Sequence, residues 1–124
     1  IVDMVQRVRP LFNVNNLAQC GAMAALKDRE FVEMARTANS RERIWLSEEL
    51  AQMGWRVIPS QTNFLFVDTG METTRLVEAA RAAGIIIRGG AGWGYPTFLR
   101  ISLGTREQLT ALLAVLTEAL GKNA

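Results

Sequence analysis

The sequence contains no histidine, one cysteine and two lysines among its 124 residues. Without histidine, the chain cannot form the Ser-His or Cys-His pairs of covalent catalysis, and it lacks the commonest zinc ligand. The single cysteine, Cys20, excludes an internal disulfide and fits a reducing, cytoplasmic compartment. Its neighbours Ala18, Gly21 and Ala24 follow a helical pattern, which predicts that Cys20 packs in a core.

Long apolar runs and an excess of one charge are also missing. No stretch of about 18 apolar residues is present, so no membrane-spanning helix is predicted. The formal net charge is only +2 and the basic residues form no stripe, which argues against nucleic acid as a partner. Residues 1–5 show no signal-peptide pattern. Because 49% of the residues are hydrophobic, we expect one domain with a real core.

The order of apolar patterns predicts the fold class. It runs helix, helix, strand, strand, helix, strand, strand, helix, with short connections. This order is typical of an α+β two-layer sandwich, in which helices cover one face of a small sheet of about four mainly antiparallel strands. Pro10 predicts an extended segment at the start, residues 1–15, because the residue before a proline avoids the helical region. Residues 16–124 are then expected to form the domain.

Helix ends are predicted from short polar patterns. Thr69 with Glu72, and Thr105 with Gln108, have the spacing of capping boxes, in which each side chain bonds the backbone N–H of the other residue. Both patterns therefore predict the start of a helix. Gly54 follows a long helical pattern and is predicted to end it in the left-handed conformation.

Arg100 is the most informative residue, because it interrupts the apolar strand pattern of Phe98, Leu99 and Ile101. A guanidinium is costly to bury unless an anion meets it, and its planar fork binds a carboxylate through two parallel bonds. Arg88 ends the preceding predicted strand. If the two strands pair as a hairpin, the two arginines converge and suit a substrate with two anionic groups. The alternative is that both are strand arginines with their heads in water.

The loop between these strands, Gly89–Gly94, contains four glycines around Trp93. It leads to a strand and lacks a Gly-Lys-Ser/Thr ending, so it does not fit a phosphate-binding loop. It is either a plain flexible connection or a loop that closes over a ligand. The two lysines, Lys27 and Lys122, lie outside any apolar pattern suited to Schiff-base chemistry, and both are predicted to be solvated. No catalytic, cofactor-binding or metal-ligating residue is therefore predicted in this chain.

Three segments resemble one family, the histidinol-phosphate aminotransferases. Arg9–Gln19 is similar to its Arg-Pro-x-Phe-Asn-Val-Asn-x-Leu-Ala-Gln segment, and Pro59–Phe64 is similar to its Pro-Ser-x-x-Asn-Phe turn. Gly84–Arg88, followed by Leu99–Thr105, resembles its C-terminal arginine-containing block. The motifs span nearly the whole chain in the order that the family has. The family belongs to the class I/II, fold-type I, pyridoxal-phosphate aminotransferases.

The resemblance implies that this chain is the C-terminal small domain of such an enzyme, with residues 1–15 leading in from a large domain. It implies that Arg100 holds a substrate carboxylate and Arg88 the substrate phosphate. The parent would be a cytoplasmic homodimer that uses pyridoxal phosphate to move an amino group between histidinol phosphate and 2-oxoglutarate in histidine biosynthesis. The family's Schiff-base lysine is absent here, so the resemblance implies that this chain alone binds no cofactor and is inactive.

Other functions remain open at this point. Threonine-phosphate decarboxylase and an aromatic aminotransferase belong to the same superfamily, but Arg9–Asn15 and the Gly92–Pro96 loop favour the histidinol-phosphate enzyme. A stand-alone, non-catalytic α+β module that binds small anions or another protein is the alternative from a different class. The missing lysine favours that module for the chain as it stands.

Overall fold

The computed structural model describes residues 1–9 and 12–121. The elements in chain order are α1 (Val2–Val8), α2 (Asn16–Ala25), α3 (Arg29–Gln52), β1 (Arg56–Val57), β2 (Phe64–Asp68), α4 (Thr74–Ala82), β3 (Arg88–Gly89), a 3₁₀ turn (Ala91–Trp93), β4 (Phe98–Ser102) and α5 (Arg106–Gly121). Within these residues, no helix combines the length and the apolar character needed to cross a membrane. The chain divides into two compact units, Ile1–Arg36 and Thr37–Ala124, and the division falls inside α3.

The four strands form one sheet in the order β1-β2-β4-β3, and every neighbouring pair is antiparallel. The predicted α+β sandwich with a small antiparallel sheet is therefore confirmed. The third strand is shorter than its β-branched sequence predicts. Only Arg88 and Gly89 pair with β4, although the β-branched residues 85–87 that precede them also suit a strand.

Alternation along the two central strands separates the two faces of the sheet. Leu65 and Val67 on β2, and Leu99 and Ile101 on β4, are at most 1% exposed. Because successive strand residues point to opposite faces, these four share one face, and the helices of the same unit supply most of the rest of its core. The buried helical leucines of that core are Leu46, Leu50, Leu76, Leu109, Leu112 and Leu116. The other side chains of β2 and β4 point away from this core.

The cap predicted before α5 is confirmed. The Thr105 backbone N–H donates to Oε1 of Gln108 at 2.9 Å, and the Gln108 N–H donates back to Oγ1 of Thr105 at 3.3 Å. Each side chain thus satisfies a backbone donor that the first turn of a helix leaves free. Gly54 adopts the left-handed conformation after α3, with φ of 81°, as its position predicted.

The cap predicted before α4 is wrong. The helix begins only at Thr74, and the Oγ1 of Thr69 donates to the carbonyl oxygens of Met71 and Thr97 instead. The Glu72 carboxylate accepts from the Thr74 N–H at 3.1 Å. Thr69 therefore joins the end of β2 to the segment before β4, and this long-range contact overrides the local capping pattern.

Two predictions for the N-terminal region need correction. Residues 1–15 are not extended throughout, because Val2–Val8 form α1. Asp3 lies in the first turn of this helix and Arg7 in its last turn, so each charge interacts favourably with the helix dipole. Arg9 is extended, as expected of a residue before proline, whereas Pro10 and Leu11 lie outside the described residues. Cys20 does not pack in a core: it is exposed, because α2 has no buried residue in this chain. The predicted domain boundary after residue 15 stays a prediction.

Candidate functional site

The face of the sheet opposite the core carries arginines and aromatic rings. The arginines and rings of this face all belong to the unit Thr37–Ala124. We call this surface the arginine–aromatic face, and it comprises Arg56, Phe64, Phe66, Asp68, Arg88, Trp93, Tyr95, Phe98 and Arg100. Its strand residues come from the alternating positions that the core does not use. Phe64, Phe66, Phe98 and Arg100 are accordingly only partly buried.

Arg88 and Arg100 lie directly opposite each other across the β3–β4 pair. The two strands therefore pair as a hairpin, and the two arginine side chains emerge on the same face. Directly opposite residues in an antiparallel pair are near neighbours, and like charges at such positions are destabilising. This pairing is therefore expected to lower the stability of the sheet locally, and the fold itself gives no reason for it.

Neither of these arginines is neutralised by an acidic residue. Among the residues that the structure describes, the ion pairs within 4.0 Å involve Arg36, Arg41, Arg56 and Arg106, and none involves Arg88 or Arg100. Arg88 is exposed and Arg100 is partly buried. The pair thus presents two positive charges that no carboxylate of the described chain compensates.

Each of the two guanidinium groups lies over an aromatic ring. The Cζ of Arg100 is 4.2 Å from the centroid of the Phe64 ring, and the Cζ of Arg88 is 5.7 Å from the Trp93 ring. Such stacking covers the flat face of a guanidinium and leaves the N–H donors at its edge available. Both arginines are therefore supported by rings while their hydrogen-bonding edges stay free for an anion.

The glycine-rich loop packs onto the same face. The Phe66 ring stacks on Phe98 with centroids 4.7 Å apart, and it meets the edges of Trp93 at 6.3 Å and Tyr95 at 5.9 Å. Gly90 permits this close return of the loop, because a Cβ there would lie 2.5 Å from the Tyr95 carbonyl oxygen. The loop thus places Trp93 beside Arg88, and the alternative that it closes over a ligand stays a prediction.

The third arginine of the face, Arg56, is occupied. Its Nη2 lies 3.0 Å from Oδ2 of Asp68, directly across the β1–β2 pair. Hydrogen bonds from Thr97, from Arg56 and from the Gly70 N–H hold the pKa of Asp68 below its ordinary value. Sequence reasoning missed this pair, and only the strand register identifies it. The ion pair leaves Arg88 and Arg100 as the uncompensated charges of the face.

Two of the hollows beside the sheet differ in how they relate to the arginine–aromatic face. A shallow pocket of about 260 Å³ is next to the ring that supports Arg100. Its lining residues are Ile58, Pro59, Ser60, Gln61, Thr62, Phe64 and Phe66. A larger cleft of about 420 Å³ is lined by residues of the 84–87, 101–104 and 108–112 segments and by no charged side chain. The smaller pocket is therefore the one that belongs to the arginine–aromatic face.

Among the described residues, the arginine–aromatic face contains neither a metal site nor a lysine. The described residues contain no group of three or more Cys, Asp or Glu side chains placed to hold a metal ion. Lys27 is exposed between α2 and α3, in the other unit, and Lys122 lies outside the described residues. The chemistry that this face offers is the binding of anions and of apolar or aromatic groups.

Comparison with known proteins identifies the family. A family model described as aminotransferase class I and II matches residues 1–116. The chain belongs to this aminotransferase family. A histidinol-phosphate aminotransferase of Anaeromyxobacter is 42% identical over 122 residues, which are 98% of this chain and 34% of that protein. The enzyme of the same name from Moorella thermoacetica is 38% identical over 97% of this chain and 31% of its own length.

A solved structure agrees with this family membership. The histidinol-phosphate aminotransferase of Sinorhizobium meliloti, in complex with pyridoxal-5'-phosphate, superposes with a TM-score of 0.80 at 25% identity, over 98% of this chain and 34% of that one. The chain thus spans about a third of the length of the aminotransferases that it matches. The arginine–aromatic face therefore lies in a chain that corresponds to about a third of an aminotransferase.

Proposed function

We propose that this chain is the substrate-binding part of a pyridoxal-phosphate aminotransferase that transfers an amino group between histidinol phosphate and 2-oxoglutarate. The names of its relatives support the choice of reaction. The observation that carries the role of this chain is the pair of opposed, uncompensated arginines, Arg88 and Arg100. An anionic substrate between them relieves the repulsion that their pairing creates.

The two arginines are proposed to bind different groups. Histidinol phosphate has a phosphate and an amine but no carboxylate, whereas glutamate, the amino donor, has two carboxylates. Arg100 lies on a central strand with its fork free, and it is assigned the carboxylate. Arg88 is more exposed and borders the loop, and it is assigned the phosphate. The two substrates then occupy the same face in turn.

The cofactor is proposed to be held by other parts of the longer protein. Pyridoxal phosphate supplies the electron sink for amino-group chemistry and is attached through a lysine. The described residues do not fit that role, since their one lysine, Lys27, is exposed and belongs to the unit Ile1–Arg36, whereas the arginines belong to the unit Thr37–Ala124. Lys122 lies outside the described residues. The remaining partners, a large domain, a second subunit and a cytoplasmic setting, are part of the same proposal.

The division of labour is tested by single-turnover kinetics of each half-reaction in the longer enzyme that contains this chain. Arg100→Lys keeps the charge but loses the two-pronged contact, and the glutamate half-reaction is expected to suffer most. Leaving such a partner unpaired costs about 2–5 kcal/mol. Arg88→Ala is expected to impair the histidinol-phosphate half-reaction more than the glutamate one.

The matched control is Arg75→Ala, since Arg75 is an exposed arginine on α4 and is not part of the arginine–aromatic face. It is expected to leave both half-reactions unchanged. Equal losses in both half-reactions for Arg88→Ala and Arg100→Lys would refute the assignment of groups. Full activity in both variants would refute the site.

The 124-residue chain alone is expected to have no transaminase activity. Incubation with pyridoxal phosphate, reduction with borohydride and mapping of the adducts provide the measurement. Stoichiometric labelling of one lysine, together with turnover of histidinol phosphate and 2-oxoglutarate, would contradict the proposal and place the cofactor within this chain.

A further inference from the structure

The two arginines of the face are supported by rings from different kinds of structural element. Phe64, under Arg100, lies on the central strand β2. Trp93, beside Arg88, lies in the 3₁₀ turn of the loop between β3 and β4. Arg100 therefore rests on a ring from a central strand, and its ring contact is also the shorter one, at 4.2 Å against 5.7 Å.

The strand register gives Phe64 a diagonal position relative to Arg100. Arg100 is paired with Phe66, whereas Phe64 is paired with Ser102, two residues further along β4. Diagonal neighbours on one face are within reach of long and aromatic side chains. The guanidinium thus leans along β4 towards Phe64, and Arg88 stands opposite on the other neighbouring strand.

The backbone at Phe64 is anchored at both of its polar groups. The Oγ of Ser60 and the Oγ1 of Thr62 donate to the Phe64 carbonyl oxygen at 2.9 and 3.0 Å. The Phe64 N–H donates to the Oγ1 of Thr62 at 3.3 Å. The next residue, Leu65, is 1% exposed in the core. The ring under Arg100 therefore starts from a fixed backbone.

We propose that Phe64 is a positioning residue for Arg100. The ring holds one flat side of the guanidinium, so its N–H edge faces outward across the arginine–aromatic face, where it can donate hydrogen bonds to a carboxylate. No carboxylate of the described chain performs this task, and the opposed charge of Arg88 would otherwise push the side chain away. The carboxylate in this inference rests on the proposed function, whereas the holding of the side chain does not.

The first experiment measures the side chain directly, in the 124-residue chain labelled with ¹⁵N. The Nε–Hε signals of arginines report their order on the ps–ns timescale. Arg100 is expected to be more ordered than Arg75, which is exposed and has no ring contact among the described residues. If Arg100 is as mobile as Arg75 in the unaltered chain, the proposal is overturned without any variant.

The second experiment compares Phe64→Leu, which keeps an apolar side chain but removes the ring, with Phe64→Tyr, which keeps the ring. Phe64→Leu is expected to lower the order of Arg100 and to weaken glutarate binding about 2- to 5-fold, whereas Phe64→Tyr leaves both near the original values. Thermal unfolding of each variant checks that the sheet is intact. Unchanged order and affinity in Phe64→Leu would overturn the proposal.

The two proposals fail in different ways. If the unaltered chain shows an ordered Arg100 that Phe64→Leu loosens, but neither glutarate nor phosphate shifts any signal of the face, the positioning role stands and the substrate-binding function fails. If Arg100→Gln abolishes glutarate binding while Phe64→Leu changes neither binding nor order, the substrate-binding function stands and the positioning role fails.

Discussion

The two compact units use their apolar residues in opposite ways. In Ile1–Arg36, none of the described residues is buried, and Phe12, Leu17 and Leu26 are 84%, 86% and 78% exposed. In Thr37–Ala124, eight leucines from three helices and two central strands are at most 3% exposed: Leu46, Leu50, Leu65, Leu76, Leu99, Leu109, Leu112 and Leu116. Helices gain most of their stability in proteins from packing an apolar face, so the first unit lacks what stabilises the second.

This difference shows that local helical signals and independent stability are separate properties. Helix α2 is capped, with Oδ1 of Asn15 accepting from the Ala18 N–H at 2.9 Å, and yet it contains no buried residue. A cap contributes about 1 kcal/mol, which does not offset the ordering of a whole helix. The first unit is therefore expected to need another surface that covers its exposed apolar side chains. Under the proposed function, the large domain provides that surface.

The largest effect is expected from separating the units. The segment 37–124 retains the whole core, and it is expected to unfold cooperatively with a thermal transition close to that of the full chain. The peptide 1–36 is expected to be largely unstructured alone, because short helices without tertiary contacts are marginal in water. Circular dichroism during heating provides the measurement. A cooperative thermal transition in the 1–36 peptide would show that the first unit is stable on its own and would contradict this prediction.

A matched pair of leucine substitutions comes next. Leu46→Ala removes a side chain that is 0% exposed and is expected to lower the free energy of unfolding by about 2–5 kcal/mol. Leu17→Ala removes one that is 86% exposed and is expected to change it by no more than about 0.5 kcal/mol. Urea denaturation measures both. Similar values for the two variants would mean that the first unit has a core after all.

Association between chains is expected to depend on the first unit. Contiguous exposed apolar surface drives such contacts, and the sequence from Leu11 to Leu17 is the segment we expect to take part, although Leu11 lies outside the described residues. Sedimentation of the full chain is expected to show concentration-dependent self-association that the double variant Phe12→Ser, Leu17→Ser reduces. A strictly monomeric profile of the unaltered chain at high concentration would contradict this.

The smallest effect concerns acid stability, which is expected to depend on the second unit. Glu42 is 4% exposed, and its pKa lies below the ordinary value of 4.5, chiefly because Arg106 donates a hydrogen bond to it at 2.7 Å. A lowered pKa in the folded state stabilises the fold above the unfolded pKa, and this contribution is lost as the pH falls through the folded pKa. Glu42→Gln is expected to flatten the stability curve in that acid range.

The control for this pH effect is Glu33→Gln in the first unit, where the exposed pair Glu33–Arg36 is 3.6 Å apart. Exposed pairs contribute about 0–1 kcal/mol, so the curve is expected to keep its shape. Thermal unfolding between pH 3 and 7 measures both variants. If Glu33→Gln changes the pH dependence of stability and Glu42→Gln does not, the acid effect does not come from the second unit.

Much of the fold could be predicted from local patterns. The order of apolar patterns predicted the helices and strands of an α+β sandwich, and the Thr105 pattern predicted the start of α5. These signals succeed because period and capping are properties of neighbouring residues. The Thr69 cap failed because a contact with Thr97, distant in sequence, uses the same hydroxyl.

The candidate site could be predicted only in part. Arg88 and Arg100 stand out in sequence because each follows or interrupts an apolar strand pattern. The partner of Asp68, Arg56, and the ring under Arg100, Phe64, do not stand out, since nothing local relates residues on different strands. The exposure of Cys20 was also missed, because a helical stripe indicates a buried face only where another element covers it.

The sequence by itself determined most of the helices and strands, that helices cover one face of a small antiparallel sheet, and that Arg88 and Arg100 stand out from the apolar strand patterns. Only the tertiary structure decided that Arg88 and Arg100 stand directly opposite and that Phe64 lies under Arg100. The physical reason is register: side chains alternate with a period of two, so a slip of one residue between β3 and β4 would send either arginine to the other face. Register is set by how the whole core and the Gly89–Gly94 loop pack together.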